Sequence, residues 1–351
     1  MNTITLPGLI DPHVHLREPG QTEKEDFLTG TQAALAGGFT TVIDMPNNSD
    51  PITTHEKLEA KRALAREKTV ADIGFHFGTL GDNLDEFRKV SGKVKGLKIY
   101  LNHTTGDFII DQSKLINIFQ AWPAENGPIL LHAEEEKIKD VIHAIKQTGK
   151  RAHICHISSQ AELSYVMEAK EQGVPITCGV TPHHLFLSQE DEKHLGTQGM
   201  MKPVLKEKKD VEFLWKHLAA IDIVESDHAP HTSNEKQGQT PHFGVPGLET
   251  TLPLLLTAVS QNRLTIVDVI RLCFEGSSQI FNITTDDQTL VFVDPYTTYE
   301  IKNEHLFTKC KWSPFNGWKV KGKVMEVKMY GKTVFTHGEI LALPGSETVV
   351  S

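Results

Sequence analysis

Short apolar runs of five to seven residues recur along the chain, at Leu9 to His15, Phe39 to Met45, Asp72 to Gly78, Gly96 to Leu101, Pro128 to His132, Ala152 to His156, Pro175 to Val180 and Ile221 to Ser226. They are rich in aliphatic and β-branched residues and do not alternate strictly with polar ones, the pattern of strands covered on both faces. Between them lie segments rich in helix formers, at Glu25 to Ala36, His55 to Glu67, Glu134 to Gln147, Ser159 to Gln172 and Val211 to Leu218. Eight strand-helix units over roughly 250 residues predict an α/β fold, a (β/α)8 TIM-type barrel. A doubly wound open sheet is the alternative with the same pattern.

After Pro253 to Phe274, which reads as helix, the period falls to two. Gln288 to Val293, Thr298 to Ile301, Val320 to Met329 and Lys332 to Phe335 alternate like strands, with Asn316-Gly317 and Tyr330-Gly331 as turn signals. This predicts a small C-terminal β appendage and divides the chain into a barrel over residues 1–283 and an appendage over 284–351. The Gly- and Pro-bearing segment His231 to Gly247 follows the eighth strand and is expected over the barrel mouth, where catalytic loops of such folds sit.

Composition narrows the function. The chain has 351 residues, with 36 Lys and Arg against 45 Asp and Glu, a net charge of −9. A surface of that sign is not built around counterion release from nucleic acid, so the expected partner is a small-molecule substrate. The four cysteines, Cys155, Cys178, Cys273 and Cys310, form no Cys-x-x-Cys pair, which fits a reducing compartment. The N-terminal residues carry no basic-then-apolar leader, and no run of about 18 apolar residues occurs, so the expected location is cytoplasmic with no membrane span.

Eighteen histidines against four tryptophans stand out. His13 and His15 close the first strand, His132 the fifth and His156 the sixth, while Asp227 follows the eighth. The C-terminal ends of barrel strands converge on one rim, so these residues meet in space although remote in sequence. A His-x-His pair on a strand points both imidazoles to one face, and imidazole with carboxylate is a metal-ligand chemistry. Lys98 lies inside the apolar run Gly96 to Leu101, where an unpaired ammonium is expensive. It reads either as a salt-bridged lysine or as a desolvated amine that reacts with carbon dioxide to give a carbamate, an anionic two-oxygen ligand able to bridge two metals.

The strings Asp11-Pro12-His13-Val14-His15-Leu16-Arg17, Met45-Pro46-Asn47-Asn48, Gly96-Leu97-Lys98-Ile99-Tyr100, Leu131-His132-Ala133-Glu134, His153-Ile154-Cys155-His156 and Ser226-Asp227-His228-Ala229-Pro230-His231, in this order, resemble dihydroorotase of the amidohydrolase superfamily. The likeness is strongest to the dihydroorotase domain of the animal multifunctional pyrimidine-synthesis protein. It implies reversible interconversion of N-carbamoyl-L-aspartate and L-dihydroorotate. It also implies two Zn²⁺ per chain, one held by His13, His15 and Asp227 and the other by His132 and His156, with a carbon dioxide-derived carbamate on Lys98 between them. Asp227 would also carry the reaction's proton. Arg17, Asn47 and His231 would hold the substrate, and a guanidinium just past the metal strand suits its carboxylate. A homodimer, and association with aspartate transcarbamoylase, are the expected assemblies.

Several positions depart from the animal pattern. Gly179 stands where those relatives resemble a glutamate, which argues against a third zinc beside Cys155. Lys202 stands where they carry arginine, and the loop Asn102-His103-Thr104-Thr105-Gly106 looks more like a bacterial class in which Thr104 and Thr105 would close on the substrate. His183 and His184 read as structural, His76, His143, His194 and His217 as bland, and Glu134 to Glu136 as an acidic helix start without a catalytic role. Two other functions compete. One is a cyclic amidase of dihydropyrimidinase or allantoinase type, on whose uncharged ring the Arg17 fork would be wasted. The other is a silent dihydroorotase-like subunit that scaffolds aspartate transcarbamoylase.

Overall fold

All eight expected strands form. In the computed structural model, which describes residues 3–104, 108–346 and 349–350, a short β1 (Ile4–Pro7) precedes them. They follow as β2 (Leu9–Val14), β3 (Phe39–Asp44), β4 (Asp72–Phe75) with β5 (Phe77–Gly78), β6 (Leu97–Tyr100), β7 (Ile129–His132), β8 (Ala152–Ile154), β9 (Ile176–Val180) and β10 (Ile223–Val224). β4 and β5 are halves of one expected strand, parted at His76, whose N–H still donates to Asp44 O at 3.0 Å. Pairing is parallel throughout, β2-β3-β4 in one run and β5 to β10 in the other. The ring closes at the rim, where Val14 bridges His228 and His15 N–H donates to His228 O at 2.8 Å. Closure excludes the open doubly wound sheet.

The strands are buried because helices cover their outer faces. Helix Phe27–Ala36 starts at a reciprocal cap between Asp26 and Thr29, and Gln160–Glu171 at one between Ser159 and Glu162. Such caps satisfy the N–H groups that a helix start leaves free. The helix expected from Glu134 begins only at Lys137, because Glu135 takes a left-handed φ of 52° and turns the chain first. The expected helix over Pro253 to Phe274 splits into Leu248–Ser260 and Ile266–Ile270, followed by a wider turn at Arg271–Glu275.

The appendage is an antiparallel sheet of β11 (Leu290–Glu300), β12 (Lys319–Met329), β13 (Lys332–Thr336) and β14 (Glu339–Ile340). β11 runs through two expected strands, with a register shift between Asp294 and Thr298 in place of a break. Ile4 to Pro7, numbered with the barrel in the sequence reading, pair with β11 as the sheet's other edge. β12 packs on helix Leu248–Ser260 so closely that a Cβ on Gly322, at φ 102°, would lie 2.6 Å from Leu256 Cβ. Among the described residues no helix is long and apolar enough to cross a membrane.

Candidate active site

The strand ends deliver four imidazoles and one carboxylate to the barrel mouth. His13 Nε2 and His15 Nε2 lie 3.2 and 3.1 Å from Asp227 Oδ1, and His132 Nδ1 lies 3.0 Å from His156 Nε2. The His13 and His156 rings, 5.3 Å apart, join the two pairs into one cluster. All five residues are at most 8% exposed.

Each inward nitrogen is matched by what holds the outer one. His13 Nδ1 meets Glu225 Oε2 at 2.9 Å, His15 Nδ1 meets Asn47 Oδ1 at 2.7 Å, and His132 Nε2 meets Glu134 Oε1 at 3.0 Å. An acceptor on one ring nitrogen fixes the tautomer that leaves the other nitrogen's lone pair free, the arrangement found around metal-binding histidines. His156 is different: its Nδ1 has no partner, and the ring is set by the backbone, at φ 40° with its N–H donating to Glu225 Oε1 at 2.5 Å. Asp227 at φ 45° and Arg17 at φ 64° share this left-handed backbone, and strained positions of this kind cluster at functional sites.

Burial keeps three of the imidazoles neutral. It lowers the pKa of His15 to about 3 and pushes His132 and His156 down as well, with the neighbouring ring adding to the effect on His156. Burial alone would raise the Asp227 carboxyl, but His13 and His15 outweigh it and hold the group below the usual carboxylate range. Neutral imidazoles beside an ionised carboxylate are the protonation state that a divalent cation requires. His13, His15 and Asp227 offer three ligand atoms within 4.8 Å of one another.

Lys98 sits below this cluster, fully buried on β6. Among the described residues no carboxylate pairs with it; its ammonium donates to Cys155 Sγ at 3.2 Å and lies 4.9 Å from the Tyr100 ring. The salt-bridge reading of the sequence therefore has no partner here.

On the other side of the mouth, Arg17 Nε donates to Pro230 O at 3.1 Å and Nη2 to His231 Nε2 at 3.2 Å. The pocket is lined by the cluster together with Arg17, Asn47, Thr104, Lys202 and Phe243. Thr105 lies outside the described residues. The turn carrying Asn47 is anchored by a buried lysine that sequence reasoning passed over: Lys61 pairs with Asp44 at 2.6 Å and donates to Met45 O and Asn48 Oδ1.

Three other readings change. Glu134 is bonded to His132 and is no mere acidic helix start. His76 is buried, with Nε2 2.9 Å from Pro12 O. The space that Gly179 leaves is filled by Glu225 from the next strand, whose Oε1 lies 2.3 Å from where a Gly179 Cβ would be. A carboxylate thus stands beside Cys155 and His13 after all, and these three form a second group with ligand atoms within 4.8 Å. Glu225 was missed because nothing in its apolar run marks it as facing inward. His231, Glu235 and His242 form a third group outside the pocket, but Lys24 already pairs with Glu235 at 2.7 Å.

Residues 4–286 match the model of the amidohydrolase family. The multifunctional protein CAD of Squalus acanthias is 43% identical over 344 residues, covering 97% of this chain and 15% of that protein. The multifunctional pyr1-3 of Dictyostelium discoideum is 38% identical, with 16% of its length covered, so the chain spans about one sixth of these two relatives. A dihydroorotase of Pyrococcus horikoshii is 35% identical, with 99% of this chain and 84% of that protein covered. Among solved structures, an L-hydantoinase from Arthrobacter aurescens has the same fold at a TM-score of 0.95 and 24% identity, covering 99% of this chain and 89% of that one. An inactive dihydroorotase-like domain of a Chaetomium thermophilum CAD-like protein matches at a TM-score of 0.86 and 26% identity over the whole of both chains.

Proposed function

The chain belongs to the amidohydrolase family and, within it, to the dihydroorotases, and from that premise we infer that it interconverts N-carbamoyl-L-aspartate and L-dihydroorotate in pyrimidine synthesis. The fold alone does not carry this, because an inactive dihydroorotase-like domain has the same fold. The observation that carries it is the convergence of four imidazoles and an ionised carboxylate beside a guanidinium in one pocket.

The family is metal-dependent, and the donor set fits. In this reading His13, His15 and Asp227 hold one zinc and His132 and His156 the other. Lys98, with no carboxylate to neutralise it among the described residues, would be a further ligand as a carbamate. Zinc held there supplies Lewis acidity to the substrate carbonyl and makes water a stronger acid. Asp227 takes the proton of the attacking water on its carboxylate and returns it to the ring nitrogen as the C–N bond breaks. Ring closure reverses the transfer. Arg17 binds the substrate carboxylate through the N–H groups of its fork that Pro230 O and His231 leave free, with His231 beside it on the substrate, while Asn47 accepts from His15 through Oδ1 and turns its amide N–H groups to the ligand. Thr104, with Thr105, covers the bound ring. An uncharged cyclic amide leaves Arg17 unpaired, which disfavours the dihydropyrimidinase reading.

Assembly belongs to this proposal too: a homodimer in solution, with aspartate transcarbamoylase as a partner, in the cytoplasm. The test of function is dihydroorotate hydrolysis by the purified protein with and without a chelator, alongside zinc content. Two zinc per chain and activity lost on chelation are expected. Lys98→Ala should lose most of both; full activity and full zinc in that variant would make Lys98 merely structural.

A further inference from the structure

Helix Ser233–Gln237, on the segment over the barrel mouth, carries a lysine that is not itself among the residues lining the pocket. Lys236 is fully buried, and its ammonium donates to Met200 O at 2.8 Å, His242 O at 2.9 Å and Gly244 O at 3.0 Å. All three of its protons are used. Among the described residues no carboxylate pairs with it, and the Trp312 ring of the appendage side lies 5.5 Å from Nζ. A buried cation without a counter-ion is costly, and a space-filling role would be met by an apolar side chain of the same length.

What the three carbonyls have in common is their neighbours. Met200 is two residues from Lys202, and His242 and Gly244 flank Phe243; Lys202, Phe243 and Gly244 all line the pocket. Lys202 Nζ rests 5.0 Å from the Phe243 ring, and Gly244 N–H donates to Met200 O at 3.0 Å. Gly244, at φ 129°, lies so close to the floor behind it that a Cβ there would be 2.7 Å from Ala229 O and 3.2 Å from His231 Cδ2. Trp312 completes the frame by donating Nε1–H to His231 O at 2.7 Å.

We propose that Lys236 is a positioning residue that ties segments 200–202 and 242–244 together and so builds the pocket wall facing Arg17 and His231. The proposal deepens the dihydroorotase reading and rests on it for its kinetic arm. Tethered by one ammonium, the two segments present Lys202 and Phe243 as a single surface to the substrate. Released, they are left with the Gly244 N–H to Met200 O bond, and substrate binding weakens while the strand-held cluster is undisturbed.

Burial also lowers the pKa of Lys236 to about 8, and no charged neighbour contributes. The titratable groups around it are Glu235 on its own helix, His231 and His242 on the same segment, Lys202 across the wall and Lys24 behind Glu235. Losing a proton above that pH removes the charge and one of the three donors, so the tether weakens as pH rises.

The experiment uses Lys236→Met, which keeps the length, and Lys236→Gln, which keeps two donors. Expected for Lys236→Met is wild-type zinc content, kcat within about threefold and KM for dihydroorotate raised about tenfold, with Lys236→Gln in between. In the wild type KM should rise over roughly pH 7 to 9, a rise absent from Lys236→Met. Hydrogen exchange should quicken in peptides spanning 198–203 and 240–246 and not in those of β6 and β7. An unchanged KM, a loss of zinc and kcat together, or a wild-type KM flat with pH overturns the proposal. If Lys236→Met does not fold, Lys236→Gln and the wild-type profile decide. If the wild type does not act on dihydroorotate, the functional reading fails, whereas the tether is still judged by exchange, and unchanged exchange in the two wall peptides overturns it.

Discussion

His13, His15 and His132 reach the pocket from strand ends, each with its outer nitrogen gripped by a side chain, whereas Arg17, Lys202 and Phe243 reach it from loops. On the first side Glu225, Asn47 and Glu134 set ring orientation before anything binds. On the second, Arg17 is held by Pro230 O and His231, with the rest of its fork left for a ligand. The barrel thus supplies a fixed set of donors and the loops supply recognition. This division suits a reaction in which metals must be held throughout and an anionic substrate must enter and leave.

The comparison is open to direct attack. The largest effect is expected at Asp227, the one side chain of the fixed half that also moves a proton. Asp227→Asn keeps the size and one ligand oxygen, so substantial zinc should remain while kcat for dihydroorotate falls about a thousandfold, the scale of a lost general base. Turnover at the wild-type rate would remove Asp227 from the chemistry.

Next comes Arg17 on the recognition half. Arg17→Ala should lower kcat/KM for dihydroorotate about a hundredfold, the worth of a charge-assisted pair, with zinc content unchanged and turnover of an uncharged dihydropyrimidine hardly affected. Loss of zinc in this variant would erase the distinction between the halves. The smallest effect is expected at Glu134. Glu134→Gln should weaken zinc binding about tenfold, read by competition with a chromogenic chelator, because it loosens one ring without removing a ligand. No change would mean that the backbone alone orients His132.

The fixed half was legible in the sequence because strand ends of a parallel barrel converge whatever the loops do. Knowing that His13, His132 and His156 end strands was enough to bring them together. The grips were less legible. Glu225 reaches His13 from another strand and Glu134 turns back on His132 two residues before it, and which way each carboxylate turns depends on packing that no local pattern records. Lys61 and Lys236 escaped notice for a related reason: one sits in a polar, helix-forming stretch and the other in a Gly- and Pro-bearing segment, and only the tertiary fold places Asp44, Met45 O and Asn48 around the first and three carbonyls around the second. The appendage was legible as strands, but its edge β1 was not, since a pairing between residues 4–7 and 290–293 leaves no trace in either segment.

The carboxylate of Glu225 occupying the place of a Gly179 side chain makes the two positions a single heritable unit. Glutamate at 179 beside Glu225 is a steric and electrostatic collision, and glycine at both strips His13 of the group that orients it. Each single exchange is therefore a descent, while the double exchange, Gly179→Glu with Glu225→Gly, moves one carboxylate to the neighbouring strand and returns it to much the same spot. A chain that carries the glycine should be expected to carry the acid one strand over.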